Sequence, residues 1–188
     1  MRKQMTLPPD REIAALVPVY TGKGDYTRLI MINGDEQLIP CTLRSVMKSI
    51  ARRSCKDLAL MRDWSAKITC RSLNNPVPID ALLVLTPYKA RLPRIEGDEV
   101  MGCVNPLAVE RIVSNKIKPL PAKFAGQKRP KELKTKIIMK NGQSLDSYWN
   151  EKTLTNHLKD GRSVQNLLVR EMDENIMYLF RNHPKVLN

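Results

Sequence analysis

Arg44, Lys48 and Arg52 stand four residues apart, the spacing that stacks side chains along one side of a helix. Their head groups stay charged at neutral pH, so three in a row suit the successive phosphates of a polyanion rather than proton transfer. A denser set follows from Lys116 to Lys140, KIKPLPAKFAGQKRPKELKTKIIMK, with nine Lys or Arg, one acid, three prolines and one glycine. Proline and glycine keep such a stretch out of regular structure, leaving Lys116, Lys118, Lys128, Arg129 and Lys131 free to follow a phosphate backbone. Beyond them, strand alternation puts Lys134, Lys136 and Lys140 on one face, opposite Ile137 and Met139. The whole chain carries 32 Lys and Arg against 19 Asp and Glu, a net charge of +13, which favours nucleic acid as partner.

Catalytic chemistry has no comparable support. There is no P-loop, GxGxxG, HExxH or nucleophile elbow, and neither His157 nor His183 has a partner nearby in sequence. His157 is expected at the surface or half-buried. Asp57 and Asp63 alternate with Lys56 and Arg62 and read as helix surface charge. Cys41, Cys55, Cys70 and Cys103 are too irregularly spaced for a zinc framework and read as buried thiols of a reducing compartment. The expectation is a binding protein without metal or cofactor. No apolar run is long enough to span a bilayer, and the start MRKQMTLPPDREI lacks the apolar core of a signal peptide, so a cytoplasmic location is expected.

The elements that position these cations are announced by a repeated phrase. LIMINGDEQL begins at Leu29, and IIMKNGQSL begins at Ile137. Asn-Gly between apolar runs predicts a β-hairpin with a type I′ turn, pairing Thr27 to Ile32 with Glu36 to Cys41 and Thr135 to Lys140 with Gln143 to Tyr148. A helix follows each hairpin. Thr42 caps the first, where Leu43, Val46, Met47 and Ile50 recur at helical spacing; Asn150 caps the second, with Gly161 as its stop.

Further expected elements are a strand at Ile13 to Tyr20, a short helix from Lys56 to Trp64, and strands at Ala81 to Thr86 and Leu107 to Val113. A closing helix should pack Val164, Leu167, Leu168 and Met172 on one face. The fold class is α+β: a single domain with a β-rich core of antiparallel hairpins and flanking helices. Residues 1–25 read as an N-terminal strand and linker, 26–172 as the DNA-binding domain, and 173–188 as a C-terminal tail.

The order of several short motifs resembles the ComK competence transcription factors of bacteria: Arg53-Ser54-Cys55, Pro76-Val77-Pro78-Ile79, Leu85-Thr86-Pro87, Gly102-Cys103-Val104, and the run KIIMKNGQSLDSYWNEKTLTNHL from Lys136. The likeness spans Tyr26 to Met172, departing at Ala59, where the family has Gly, and at Cys103, where it has an aromatic residue. It implies a transcription activator of genetic transformation that binds A·T-rich promoter boxes through the minor groove, as homodimers assembling further on DNA. It also implies control by a proteolytic adaptor protein that recognises an apolar stretch near the C-terminus, here Ile176, Met177, Tyr178, Leu179 and Phe180. The strand at Leu107 to Val113 with the second hairpin and its helix is similar to LytTR-type DNA-binding domains, and Gly126 to Pro130 resembles an AT-hook core. The competing reading is a non-specific RNA-binding or nucleoid-associated protein.

Overall fold

The structure, a computed structural model, describes residues 6–115 and 132–182, with the side chains of the last helix described as far as Tyr178. A 3₁₀ turn at Asp10–Glu12 leads into β1 (Ile13–Thr21), β2 (Gly24–Met31) and β3 (Glu36–Ile39), then α1 (Leu43–Arg53) and α2 (Leu58–Thr69). β4 (Val77–Pro78), β5 (Val84–Lys89) and β6 (Met101–Val104) follow, then a second 3₁₀ turn at Pro106–Ala108, β7 (Val109–Ser114), β8 (Thr135–Met139), β9 (Ser144–Ser147) and α3 (Glu151–Asn182). The strands form a six-stranded antiparallel sheet, β3-β2-β1-β6-β5-β4, and a three-stranded one, β7-β8-β9. The architecture is α+β, as the hairpin and helix patterns predict.

Two apolar layers account for the packing. On one face of the large sheet, Ile13, Leu16, Leu29 and Ile39 meet Leu43, Val46, Met47 and Ile50 of α1. On the other, Ala15, Val17 and Ile30 meet Ile137, Met139 and Leu145 of the small sheet and Leu154 and Leu158 of α3. Each such buried Val, Leu, Ile or Met side chain stabilises the fold by about 1.5–3 kcal/mol. β1 is therefore buried on both sides from Ile13 to Pro18 and runs between β2 and β6, although the sequence places it in an N-terminal segment ahead of the main domain. Pro18 is tolerated there because β6 pairs only with Ala15 and Leu16.

The repeated phrase marks a repeated unit. In both hairpins the Met amide donates to a carbonyl four residues on (Met31 to Asp35, 2.8 Å; Met139 to Gln143, 2.9 Å), and the glycine amide returns to that Met (3.0 and 2.9 Å). Only the glycines, Gly34 at φ 97° and Gly142 at φ 85°, are left-handed. These are type I turns closed by a glycine bulge rather than the expected type I′ turns. The correspondence extends outward from the turns. Thr27 Oγ1 donates to Cys41 O at 2.8 Å, and Thr135 Oγ1 to Trp149 O at 2.9 Å. Thr42 caps α1 through Ser45 N as Asn150 caps α3 through Thr153 N. The preceding strand of each unit enters from a 3₁₀ turn, with a bulge between Ile13 and Ala15 in one and between Val109 and Arg111 in the other. The amides of Ile32 and Lys140 reach back to the ends of those turns, at Glu12 O and Ala108 O, both at 2.9 Å. The residue spacing between the units changes only between β7 and β8, where the second unit carries the basic segment. The two tips touch: Asn141 Nδ2 donates to Met31 O at 3.1 Å and Gln143 Nε2 to Gly34 O at 3.0 Å.

Several expectations are corrected. Gly161 does not stop a helix; α3 runs from Glu151 to Asn182 through it and through the boundary expected at 172. A Cβ at Gly161 would overlap Thr86 Oγ1 and lie 2.8 Å from Pro106 Cγ, so this glycine lets α3 lie against β5. Of the closing-helix face, Val164 is buried and Leu167 and Leu168 are half-buried, but Met172 is 47% exposed, because the helix has run past the sheet. β5 begins at Val84 rather than Ala81, since the Asp80 carboxylate accepts from Leu82 N and Leu83 N and holds a turn there. Leu107 belongs to the second 3₁₀ turn, which Asn105 caps, rather than to β7. α2 is longer than expected, running to Thr69, and its C-cap Cys70, like Cys55, is exposed in left-handed backbone (φ 53°). Cys103 alone of the four thiols is buried.

Candidate nucleic-acid interface

α1 forms because Thr42 caps it and its apolar positions return every three or four residues; the same periodicity turns Arg44, Lys48 and Arg52 outward, where all three are exposed. α2, capped by the Asp57 carboxylate through Ala59 N (2.8 Å) and Leu60 N (3.0 Å), brings Arg62 to the same place. The two helices enclose an open groove of about 290 Å³ in which Lys48, Arg52, Lys56 and Arg62 surround Met47 and Leu58. None of the five cations Arg44, Lys48, Arg52, Lys56 and Arg62 forms an ion pair among the described residues. Asp57, the acid in the groove lining, is occupied by its cap. The stripe is therefore legible in sequence, whereas Lys56 and Arg62 join it only through the fold. Their interleaving with Asp57 and Asp63 makes them look like neutralised surface.

Other cations are committed to the scaffold. Arg53 pairs with Asp10, Arg71 with Asp160, and Arg91 with Asp25 at 3.1 Å. Arg91 and Arg94 also lie over the Tyr20 ring, at 3.6 and 3.7 Å from its centroid. Desolvation, and then the hydrogen bond to Asp98, raise the Tyr20 hydroxyl above its ordinary pKa.

A second cationic surface is the outer face of the small sheet. Lys134, Lys136 and Lys140 are all exposed, while Ile137 and Met139 point into the core, as alternation requires. Lys136 stands 3.9 Å from Asp146, so this surface is partly neutralised. Lys116, Lys118, Lys128, Arg129 and Lys131 lie outside the described residues. α1 and the small sheet pack against opposite faces of the large sheet, so the two cationic surfaces are separate. Ile176, Met177 and Tyr178 are exposed on the last described turns of α3; the side chains of Leu179 and Phe180 lie outside the described set.

His157 is buried, not half-exposed. Its ring stacks on Trp149 with centroids 4.3 Å apart, and its Nδ1 has no hydrogen-bond partner among the described residues. Burial, and then the Arg71 cation, hold its pKa below the ordinary value. Its neutral form is favoured in the folded state, so the unfolded chain binds the extra proton and stability falls as pH drops below about 6.5. Replacing His157 by Phe, which keeps the stack and removes the titration, should flatten the stability profile between about pH 6.5 and 5, as measured by urea unfolding at stepped pH. An unchanged slope would show that His157 does not titrate differently in the folded state.

Among the described residues no helix is long and apolar enough to cross a membrane, and no group of three or more His, Cys, Asp or Glu is placed to hold a metal ion. No family model, no curated protein and no solved structure matches this chain.

Proposed function

We propose that the protein is a DNA-binding transcription activator of the competence type, acting in the cytoplasm on A·T-rich promoter boxes mainly through the minor groove. The observation that carries the reading is the groove of unpaired cations on α1 and α2, in a chain of net charge +13. Cations that the fold does not neutralise release condensed counterions when they meet phosphates, and that supplies affinity. Preference for A·T comes from groove width and potential, which Arg and Lys read without a base-by-base code. The resemblance to ComK proteins supplies the biological setting, including assembly of dimers on DNA and an adaptor contact at the exposed end of α3. No step of this reading calls for an enzyme, a cofactor or a metal.

Binding to A·T-rich and G·C-rich duplexes of equal length, across a salt series, tests it. If about six phosphates are neutralised, log K against log salt has a slope near −5. A minor-groove ligand should compete on the A·T-rich duplex. A slope near zero excludes nucleic acid as the partner. Equal affinity for both duplexes with a steep slope would instead identify a non-specific nucleic-acid-binding protein.

A further inference from the structure

The two equivalent units differ at one edge. In the first, the outer edge of β1 is covered: β6 pairs with it antiparallel, Ala15 opposite Val104 and Leu16 opposite Cys103, and Asn105 N donates to Ala14 O at 2.8 Å. In the second, β7 occupies the position of β1, with the same bulge, and ends the small sheet; no strand lies beyond it among the described residues. We propose that this edge of β7 is a homodimer interface on which β7 of a second molecule pairs antiparallel about a two-fold axis, joining two three-stranded sheets into one of six.

The occupant follows from charge as well as from equivalence. The bulge places residues 14 and 15 on one face in the first unit, where Ala14 and Ala15 share the same apolar cluster. Its counterpart places Glu110 and Arg111 together on the outer face of the small sheet, where they are exposed and form an ion pair. A two-fold axis between these residues sets Glu110 of each molecule opposite Arg111 of the other, twice per dimer, with Val109 opposite Ile112. Opposite charges directly across a strand pair stabilise it and like charges destabilise it. The bulge is no obstacle, because the bulged β1 accepts β6 on the corresponding edge. A six-residue strand edge is small beside the ~1,200 Å² or more of a stable interface, so the dimer is weak and concentration-dependent. Because opposed residues of an antiparallel pair share a face, the Lys136 surfaces of both molecules would lie on the same side of the joined sheet. A long duplex can bridge that surface.

Sedimentation velocity of the full chain without DNA tests the interface, from about 1 to about 100 μM, the range of a weak complex. This keeps its failure separate from that of the DNA-binding reading. The parent should show a monomer–dimer equilibrium. Glu110→Arg alone and Arg111→Glu alone each oppose like charges twice and should weaken dimerisation by about tenfold. The double variant E110R/R111E should restore it to about the parent value, and mixing the two single variants should give a heterodimer, because each then presents what the other lacks. Thermal melts of the variants confirm that these exposed changes leave the fold intact. A monomer throughout the range overturns the proposal, as does a dimer indifferent to the single changes or one that neither the double variant nor the mixture restores.

Discussion

Gly161→Ala should lower the melting temperature, by the equivalent of about 1–3 kcal/mol, the usual range for overpacking a filled interior. The sign is what makes the measurement informative, since helix propensity alone favours Ala over Gly in a helix interior by about 1 kcal/mol. Gly161 is buried in the middle of α3, and any Cβ there meets Thr86 Oγ1 and Pro106 Cγ. One of these is a side chain on a central strand and the other a ring in a tight turn, so neither can swing away as a flexible side chain would. Gly161→Leu should prevent α3 from docking and abolish cooperative unfolding followed by circular dichroism. Removing the obstructing hydroxyl supplies the control: in a Thr86→Ala background the destabilisation caused by Gly161→Ala should shrink, because the clashing atom is gone, and Thr86 Oγ1 makes no hydrogen bond among the described residues that the change would sacrifice. A rise in melting temperature for Gly161→Ala would mean that α3 stands off the sheet and that propensity governs this position.

The second large effect concerns binding. Changing Arg44, Lys48 and Arg52 together to Ala should reduce the salt slope of duplex binding by about three, one unit for each phosphate that is no longer neutralised. Affinity should fall most at low salt and similarly for all sequences. The melting temperature should hardly move, because all three side chains are exposed and unpaired among the described residues. Changing Lys134, Lys136 and Lys140 to Ala should have the smaller effect, since Lys136 already faces Asp146. The two triple variants, measured side by side on one A·T-rich duplex, decide which surface leads. If the sheet variant binds more weakly than the helix variant, the groove on α1 and α2 is solvated surface and the small sheet holds the duplex.

What was legible in the sequence was local. Thr42 and the Leu43, Val46, Met47, Ile50 spacing define α1 to within a residue, and both Asn-Gly turns mark real hairpins. The turn type was not legible, because Asn-Gly suits more than one hairpin loop. The register that buries Leu29, Ile137 and Leu145 selects a longer loop with its glycine in a bulge. Gly161 misled for a similar reason: glycine ends many helices, and its partner here, Thr86, sits on a strand far away in the chain. His157 looked exposed because Thr155 and Asn156 precede it, yet its stacking partner Trp149 lies in the turn before the helix. In the interface, the i, i+4 stripe could be read directly, whereas the contribution of α2 depended on how two helices pack.

The pairing of β1 with a strand made much later in the chain also bears on the order in which the molecule assembles during synthesis. β1 leaves the ribosome early, but its neighbour β6 and the small sheet that seals its second face come much later in the chain. Contacts so distant in sequence form slowly, because the intervening chain must be closed before they repay it. Until α3 is released, Ala15, Val17 and Ile30 therefore present an unsealed apolar sheet face with an open strand edge, the kind of surface on which nascent chains aggregate. The second unit has no such delay: its strands and the first turns of α3 are consecutive, and it is complete as soon as it is made. Chaperone demand should accordingly fall on chains arrested between β3 and β7, and a nonsense truncation anywhere in that interval leaves an aggregating fragment rather than a smaller folded one.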